Sequence, residues 1–355
     1  MAERVVIVAL GACTPVGRDA WSSAAAVRAG ISGFVQHPYM VDTAGKSMRA
    51  AIAPWLDIGL SGVDRLEALL FPSLEEAMEP VASRPGAPLN MAIALGLPSA
   101  RPGVPEDIQQ QIISRIKRRY ARQFSGAASF AAGHAAGLIA TQAAFTKLTQ
   151  GALDACVVAG VDSYIEPITL EWLEANDQLH SAGPSNNAWG FIPGEAGAAL
   201  LLMRESVAET SGLKVLAVVL GTGTSMEAKR IKTETVCIGE GLTQAFRATL
   251  AALPAGAKVS DIYCDMNGEA YRADEFGFTA LRTKESFESA SDFVAPADCW
   301  GDVGAAGGLL HLALATVAGL KGYGRGLFTL AFGSGEQGER AATLLATIKG
   351  AEACQ

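Results

Sequence analysis

Short apolar runs that stop at glycine-rich turns and lead into helical stretches recur along this chain, and this alternation constrains its fold more than any other feature. Val5–Leu10 meets the turn Gly11–Gly17 and then a helical stretch over Asp19–Arg28, with Gly30 and Gly33 punctuating the exit. Met91–Leu95 and Asp154–Ala159 read as buried strands, the second ending in Gly160. Ser125–Gly133 is a small-residue approach to an Ala-rich helix over His134–Leu148. Gly190–Gly197 is a glycine-rich turn leading into the strand Ala198–Met203. The second half repeats the alternation, with strands at Val215–Leu220 and Ile262–Met266, a small-residue helix over Gly304–Ala318, a strand at Leu327–Phe332, the turn Gly333-Ser334-Gly335, and a last strand at Ala341–Thr347. A helix over Ser73–Glu79, opened by Pro72 and closed by Pro80, and an amphipathic helix over Glu106–Phe124 complete the reading. Each half is expected to bury a mostly parallel sheet between helices, with the chain dividing into 1–205 and 206–355.

Composition narrows the function classes. Of 355 residues half are hydrophobic and 39 are glycine, which suits tightly packed α/β layers. A net charge of −8 argues against a nucleic-acid or anionic-membrane surface. The one basic cluster is Arg115-Ile116-Lys117-Arg118-Arg119 with Arg122; it reads first as a solvated helix face and second as a patch for an acidic partner. Cys13, Cys156, Cys237, Cys264, Cys299 and Cys354 are scattered without metal-ligand spacing, so no metal is expected, and a reducing, cytoplasmic setting fits best. Cys156, Cys237 and Cys264 lie in apolar stretches and read as small core residues. Arg4 runs straight into a strand, unlike a signal peptide, and no apolar stretch suits a bilayer span.

Six segments in order resemble the β-ketoacyl synthases, in particular the elongating type: Arg4–Gly17, Ala29-Gly30-Ile31-Ser32-Gly33, Ala155–Gly160, Gly190–Ala198, Gly304-Ala305-Ala306-Gly307 and Phe332-Gly333-Ser334-Gly335. The resemblance implies a thiolase-type fold of five layers, αβαβα, with two pseudo-equivalent halves. It also implies a homodimer, an acyl carrier protein as a partner, 3-oxoacyl-acyl-carrier-protein synthase (acyltransferase) activity and no cofactor. The apolar strand Asp154–Ala159, which would otherwise expose a sheet edge, is a further reason to expect the dimer.

That activity needs a cysteine at a strand-to-helix elbow to carry the acyl group and two histidines to stabilise the enolate and oxyanion. Here the matching positions hold other residues. His134, in His134-Ala135-Ala136-Gly137, takes the cysteine position; Ser129 is the alternative, but His134 needs only about one inserted residue before the strand. Asn267 stands at the first histidine, and Gly301 at the second, with Asp302 one residue away. An imidazole forms acyl adducts that hydrolyse readily, so condensation is not expected. Phe332, Gly333, Ser334 and Gly335 fall at the family's gating loop, where Ser334 replaces a phenylalanine and should leave the pocket mouth more open. Glu195 reads as a structural acceptor of backbone N–H groups.

Three functions follow. The first is a non-condensing partner or scaffold. The second is an altered acyltransferase or hydrolase in which His134, Asn267, Glu269 and Asp302 form a remodelled site, Asn267 donating to an oxyanion and Glu269 acting as base. The third is a module that binds an acyl chain or carrier protein without reaction. Against the remodelled site stands a simpler reading of the segment after Asn267, a salt-bridged loop in which Arg272 pairs with local carboxylates.

Overall fold

The computed structural model describes residues 3–83, 89–120 and 123–348; Arg122 and Cys354 lie outside them. Eleven strands run in the order β1 (Val5–Cys13), β2 (Phe34–Val41), β3 (Ser47–Ala51), β4 (Met91–Leu97), β5 (Ala127–Ala131), β6 (Ala155–Ser163), β7 (Glu195–Arg204), β8 (Ala217–Met226), β9 (Asp261–Tyr263), β10 (Phe328–Ser334) and β11 (Glu339–Thr347). The helices are α1 (Ala20–Arg28), α2 (Gly62–Ala82), α3 (Ile108–Arg119), α4 (Ala136–Thr149), α5 (Pro167–Ala175), α6 (Glu205–Thr210), α7 (Glu240–Leu250), α8 (Ala270–Thr283), α9 (Ala297–Trp300) and α10 (Gly307–Leu320).

Nine strands join in the order β5-β4-β6-β7-β1-β8-β11-β10-β9, and β2 and β3 form a separate hairpin. The seam between the two arms is short: only Val5–Ile7 of β1 pair with Ala217–Val219 of β8. The arms therefore fold over the two central helices, α4 and α10, which touch strands of both. Outside the first arm lie α2 and α3, whose Leu66, Leu69, Leu70, Leu74, Ile112 and Ile116 bury against β1, β4, β6 and β7. Outside the second lie α7 and α8, with Leu242, Phe246 and Phe276 on β9, β10 and β11. This is the five-layer αβαβα arrangement expected from the sequence.

The two central helices need small residues because each is faced by the other. A Cβ on Gly137 would sit 2.9 Å from Leu309 Cγ, and one on Gly308 would sit 2.7 Å from Leu138 Cγ. Each glycine thus receives a leucine from the partner helix, and the reciprocity marks the internal twofold.

Several expectations are corrected. The sheet is mixed: β4–β5, β4–β6 and β9–β10 are parallel, but β6–β7, β1–β7, β1–β8, β8–β11 and β10–β11 are antiparallel. Pro72 and Pro80 do not bound a helix; both lie inside α2. Proline removes a helical hydrogen bond, but the long apolar face of α2 on the sheet outweighs that local loss. The strand expected over Ile262–Met266 is shorter, Asp261–Tyr263, and Gly333 and Ser334 belong to β10 rather than a turn. The strand around Asp154–Ala159 is not an edge; β6 lies between β4 and β7, and the edge of that arm is β5. Cys237 is no core residue but half-buried in the loop before α7, whereas Cys156 and Cys264 are buried. Burial pushes the Cys156 thiol up to about 12 and raises Cys264 further, so neither is a ready nucleophile. Among the described residues no helix is long and apolar enough to cross a membrane.

Candidate functional site

The site forms where β5, β10 and the segments after β9 and α9 converge at the N-terminal ends of the central helices. After β5 the chain turns through Gly133, at φ +53°, into a single 3-10 turn, Gly133–Ala135, that feeds α4. His134 stands on this elbow and is 6 % exposed. Ser129 lies within β5 instead, its hydroxyl donating to Gln109 Oε1 at 2.8 Å. Gly333 passes directly behind the elbow, where a Cβ would stand 2.5 Å from the His134 carbonyl oxygen.

Residues far apart in sequence meet at His134. Its Nε2 lies 2.8 Å from both carboxylate oxygens of Asp302. Asn267 Nδ2 donates to Asp302 Oδ2 at 2.6 Å, and the Gly304 amide donates to Oδ1 at 2.9 Å. Burial alone would raise the Asp302 carboxyl; the His134 ring, Arg272 and the Asn267 amide hold it well below the usual carboxylate range. Gly301, at φ +73°, turns the chain so that Asp302 can face inward, and its own Cβ would lie 2.7 Å from the Ile192 carbonyl oxygen. His134, Asn267, Gly301 and Asp302 thus line one cavity.

The residue that decides what this site can do is Arg272. It is 3 % exposed, and its Nη1 donates to Asp265 Oδ2 at 2.6 Å and to the Ser334 carbonyl at 3.2 Å. Its Nη2 lies 3.3 Å from His134 Nδ1 and 3.2 Å from Nε2, and its Nε is 3.5 Å from Glu269 Oε2. A guanidinium only donates and an ionised carboxylate only accepts. His134 therefore presents Nε2–H to Asp302, while Arg272 Nη2, nearly equidistant from Nδ1 and Nε2, lies against the ring face rather than in line with the Nδ1 lone pair. Glu269 is likewise engaged: Tyr271 Oη donates to it at 2.5 Å and Asn267 Nδ2 at 3.1 Å. The open space left here is about 20 Å³, room for roughly one water. On its wall His311, fully buried, is pushed down to about 4 by desolvation.

Residues 332–335, where a gate was expected, are all buried. Ser334 is buried and its amide donates to Asp265 at 2.7 Å, while Arg272 occupies the space beside it. Phe332 packs into the core with ring centroids 5.1 Å from Phe276 and 5.2 Å from Phe246. The Gly335 amide donates to the Glu339 carbonyl at 2.8 Å, and its own carbonyl accepts from Arg340 Nη1 at 2.7 Å. Glu195 accepts from the Ala53 amide at 2.9 Å and from Ser163 Oγ at 2.9 Å, and Arg65 binds both its oxygens at 2.6 and 2.7 Å.

Residues 117–208 match the family model of the β-ketoacyl synthase N-terminal domain. No curated protein matches the sequence. Among solved structures, one of a type II polyketide synthase acyl-carrier protein in complex with its ketosynthase bound to the hexaketide superposes at a TM-score of 0.81. Its identity is 16 %, over 98 % of this chain and 100 % of that one. The ishigamide ketosynthase/chain length factor gives 0.77 at 17 % identity, over 98 % and 100 %. An oxazolomycin ketosynthase domain from Streptomyces albus JA3453 gives 0.74 at 16 %, over 99 % of this chain and 75 % of that domain. The fold is that of the ketosynthases. Within this ketosynthase fold the sequence points to His134, Asn267, Gly301 and Asp302, and the structure brings all four together. Sequence reasoning paired Arg272 with local carboxylates, as it does with Asp265 and Glu269, but did not name Asp265 or the contact of Arg272 with His134. An arginine five residues beyond Asn267 falls in the first turn of α8, and nothing in its local pattern says that it points back at His134.

Proposed function

We propose that this chain is a non-condensing ketosynthase-fold protein that acts as a protein partner, with residues 1–205 and 206–355 as its two halves and His134, Asn267 and Gly301 at the family's catalytic positions. The observation that carries this reading is the state of His134: its Nε2 is paired with Asp302, a guanidinium lies against its ring, and the open space beside it is about 20 Å³. Condensation needs a nucleophile that holds an acyl group and donors poised for developing negative charge. Here the donors are already paired to carboxylates.

The partner surface is the β5 edge. No strand of the described residues lies on its other side, and Ala127, Ala128 and Ala131 are exposed. A trough of about 660 Å³, lined by Phe130, Ile139, Leu153 and Cys156 among others, runs beside it. An exposed, small-residue edge with an apolar trough is a template for strand pairing, so we assign a homodimer across β5. One of the similar structures is a ketosynthase/chain length factor and another an acyl-carrier protein in complex with its ketosynthase. They support a ketosynthase-fold chain as the first class of partner and a carrier protein as the second. In the basic cluster Arg115 pairs with Asp64 and Glu67 and Arg119 with Glu75, while Lys117 and Arg118 are exposed.

A second reading draws on the His134–Asp302 pair, the arrangement of a base and its orienting acid. In it His134, Asn267 and Glu269 retain acyl-transfer or hydrolytic activity. One experiment separates the two. The protein is incubated with an acyl-carrier-protein thioester and a malonyl donor, then examined by intact mass and product analysis. The partner reading expects neither acyl-enzyme nor product. Acyl transfer or thioester hydrolysis that disappears in His134→Ala would overturn it.

A further inference from the structure

Outside the His134 cluster, side chains from three loops meet over the site. Lys232 lies in the loop between β8 and α7, Glu336 in the turn between β10 and β11, and Gln178 in the segment after α5. Lys232 Nζ stands 3.2 Å from Glu269 Oε1 and 2.6 Å from Glu336 Oε1, and 5.2 Å from the Tyr271 ring centre. Gln178 Nε2 donates to the same two carboxylates at 3.3 and 3.4 Å. Glu269 is 6 % exposed, so Lys232 reaches from the surface into the buried cluster.

The backbone of Lys232 shows that this contact has a cost. Its φ is +57°, a left-handed conformation that crowds the Cβ of any residue but glycine. Such outliers persist where surrounding contacts over-determine them, and here the contacts are the ion pairs of the same side chain. The loop is fastened at its ends: the Glu227 amide donates to the Gly338 carbonyl at 2.7 Å, and Glu227 Oε2 accepts from the Gly241 amide at 2.7 Å. Ile231 is buried, but Lys232 and the four residues after it are exposed. Farther along, Cys237 Sγ lies 3.6 Å from Glu275 Oε1.

We propose that residues 227–239 form a strap latched over the filled site by Lys232, and that release of Lys232 from Glu269 and Glu336 is the step that uncovers the site. The latch rests on the reading of the site as non-condensing, in which a pocket that receives no acyl chain can be closed by the protein's own side chains. Loss of Lys232 leaves Glu269 bonded to Tyr271, Asn267 and Arg272, so the strap can lift without dismantling what lies beneath it.

Cys237 makes the strap readable. The test is the rate of alkylation of Cys237 by N-ethylmaleimide in the full chain, followed by peptide mass spectrometry, in wild type, Lys232→Ala, Lys232→Arg and Glu336→Gln. Lys232→Ala is expected to raise the rate by about tenfold or more, because both charged contacts of Lys232, to Glu269 and to Glu336, are lost from the closed state. Lys232→Arg is expected to stay near wild type, and Cys156 and Cys264 to stay unmodified. If those two also react in Lys232→Ala, that variant has unfolded and Glu336→Gln decides in its place. Equal Cys237 rates in wild type and the folded variant, with unchanged amide exchange over 228–238, would overturn the latch. Such a result leaves the non-condensing reading standing; only acyl transfer or thioester hydrolysis that is lost in His134→Ala removes that.

Discussion

Replacing Arg272 with methionine tests whether this side chain holds the site together. Among the described residues Arg272 is the one cation in contact with both Asp265, at 2.6 Å, and Glu269, at 3.5 Å, and those carboxylate side chains are 7 % and 5 % exposed. Methionine follows much of the arginine stem, so the substitution removes charge more than volume. Removing one partner of a buried pair leaves an uncompensated charge and costs about 3–5 kcal/mol. An unfolding entropy of about 2.1 cal/mol/K per residue becomes about 0.75 kcal/mol/K for 355 residues, so Tm should fall by about 4–7 °C. Scanning calorimetry at pH 7 reads the shift. The triple variant Arg272→Met, Asp265→Asn, Glu269→Gln should recover part of it, because the two carboxylates that Arg272 pairs with are then neutral and only Asp302 still loses its nearby guanidinium. A fall of less than about 1 °C in the single variant, or a triple variant no better than the single, would refute the idea that charge compensation by Arg272 organises this cluster.

Asp302 has a depressed folded pKa, so its contribution is present above its unfolded value, about 3.9, and is lost as pH falls towards the folded one. The stability gap between wild type and Asp302→Asn should therefore be full above about pH 4 and shrink below it; a constant gap in chemical denaturation from about pH 6 to about pH 2.5 contradicts this. Gly333→Ala puts a methyl group 2.5 Å from the His134 carbonyl and should destabilise by about 1–3 kcal/mol, checked by urea unfolding; no loss would mean that the elbow and β10 part easily. Ala128→Lys places a charge on the exposed β5 edge and should halve a dimeric mass by light scattering without lowering the Tm of the protomer. A dimer that survives it pairs elsewhere.

The layered fold was legible because it rests on local patterns. The apolar runs of β1, β6, β7, β10 and β11 and the small-residue helices α4 and α10 are continuous stretches whose burial is written into composition. What failed were features set by neighbours. β5 is five residues, mostly alanine and partly exposed, and it is a strand because β4 pairs with it. Pro72 and Pro80 have the local look of helix boundaries, and only the sheet face of α2 shows otherwise.

At the candidate site the sequence by itself offered an expectation, that His134, Asn267 and Gly301 stand at the ketosynthase-like positions, because residue identity against a motif needs no coordinates. It left open whether His134 was a base, a nucleophile or a bystander, and it expected Ser334 to widen the mouth. Only the tertiary structure placed Arg272, which comes from the opening turn of α8, against His134, 138 residues away in the chain. The physical reason is that a ring nitrogen's chemistry depends on what fills the few ångströms around it. That is set by how α8, the α4 elbow and the segment carrying Asp302 pack together, and no local pattern in any of the three encodes it.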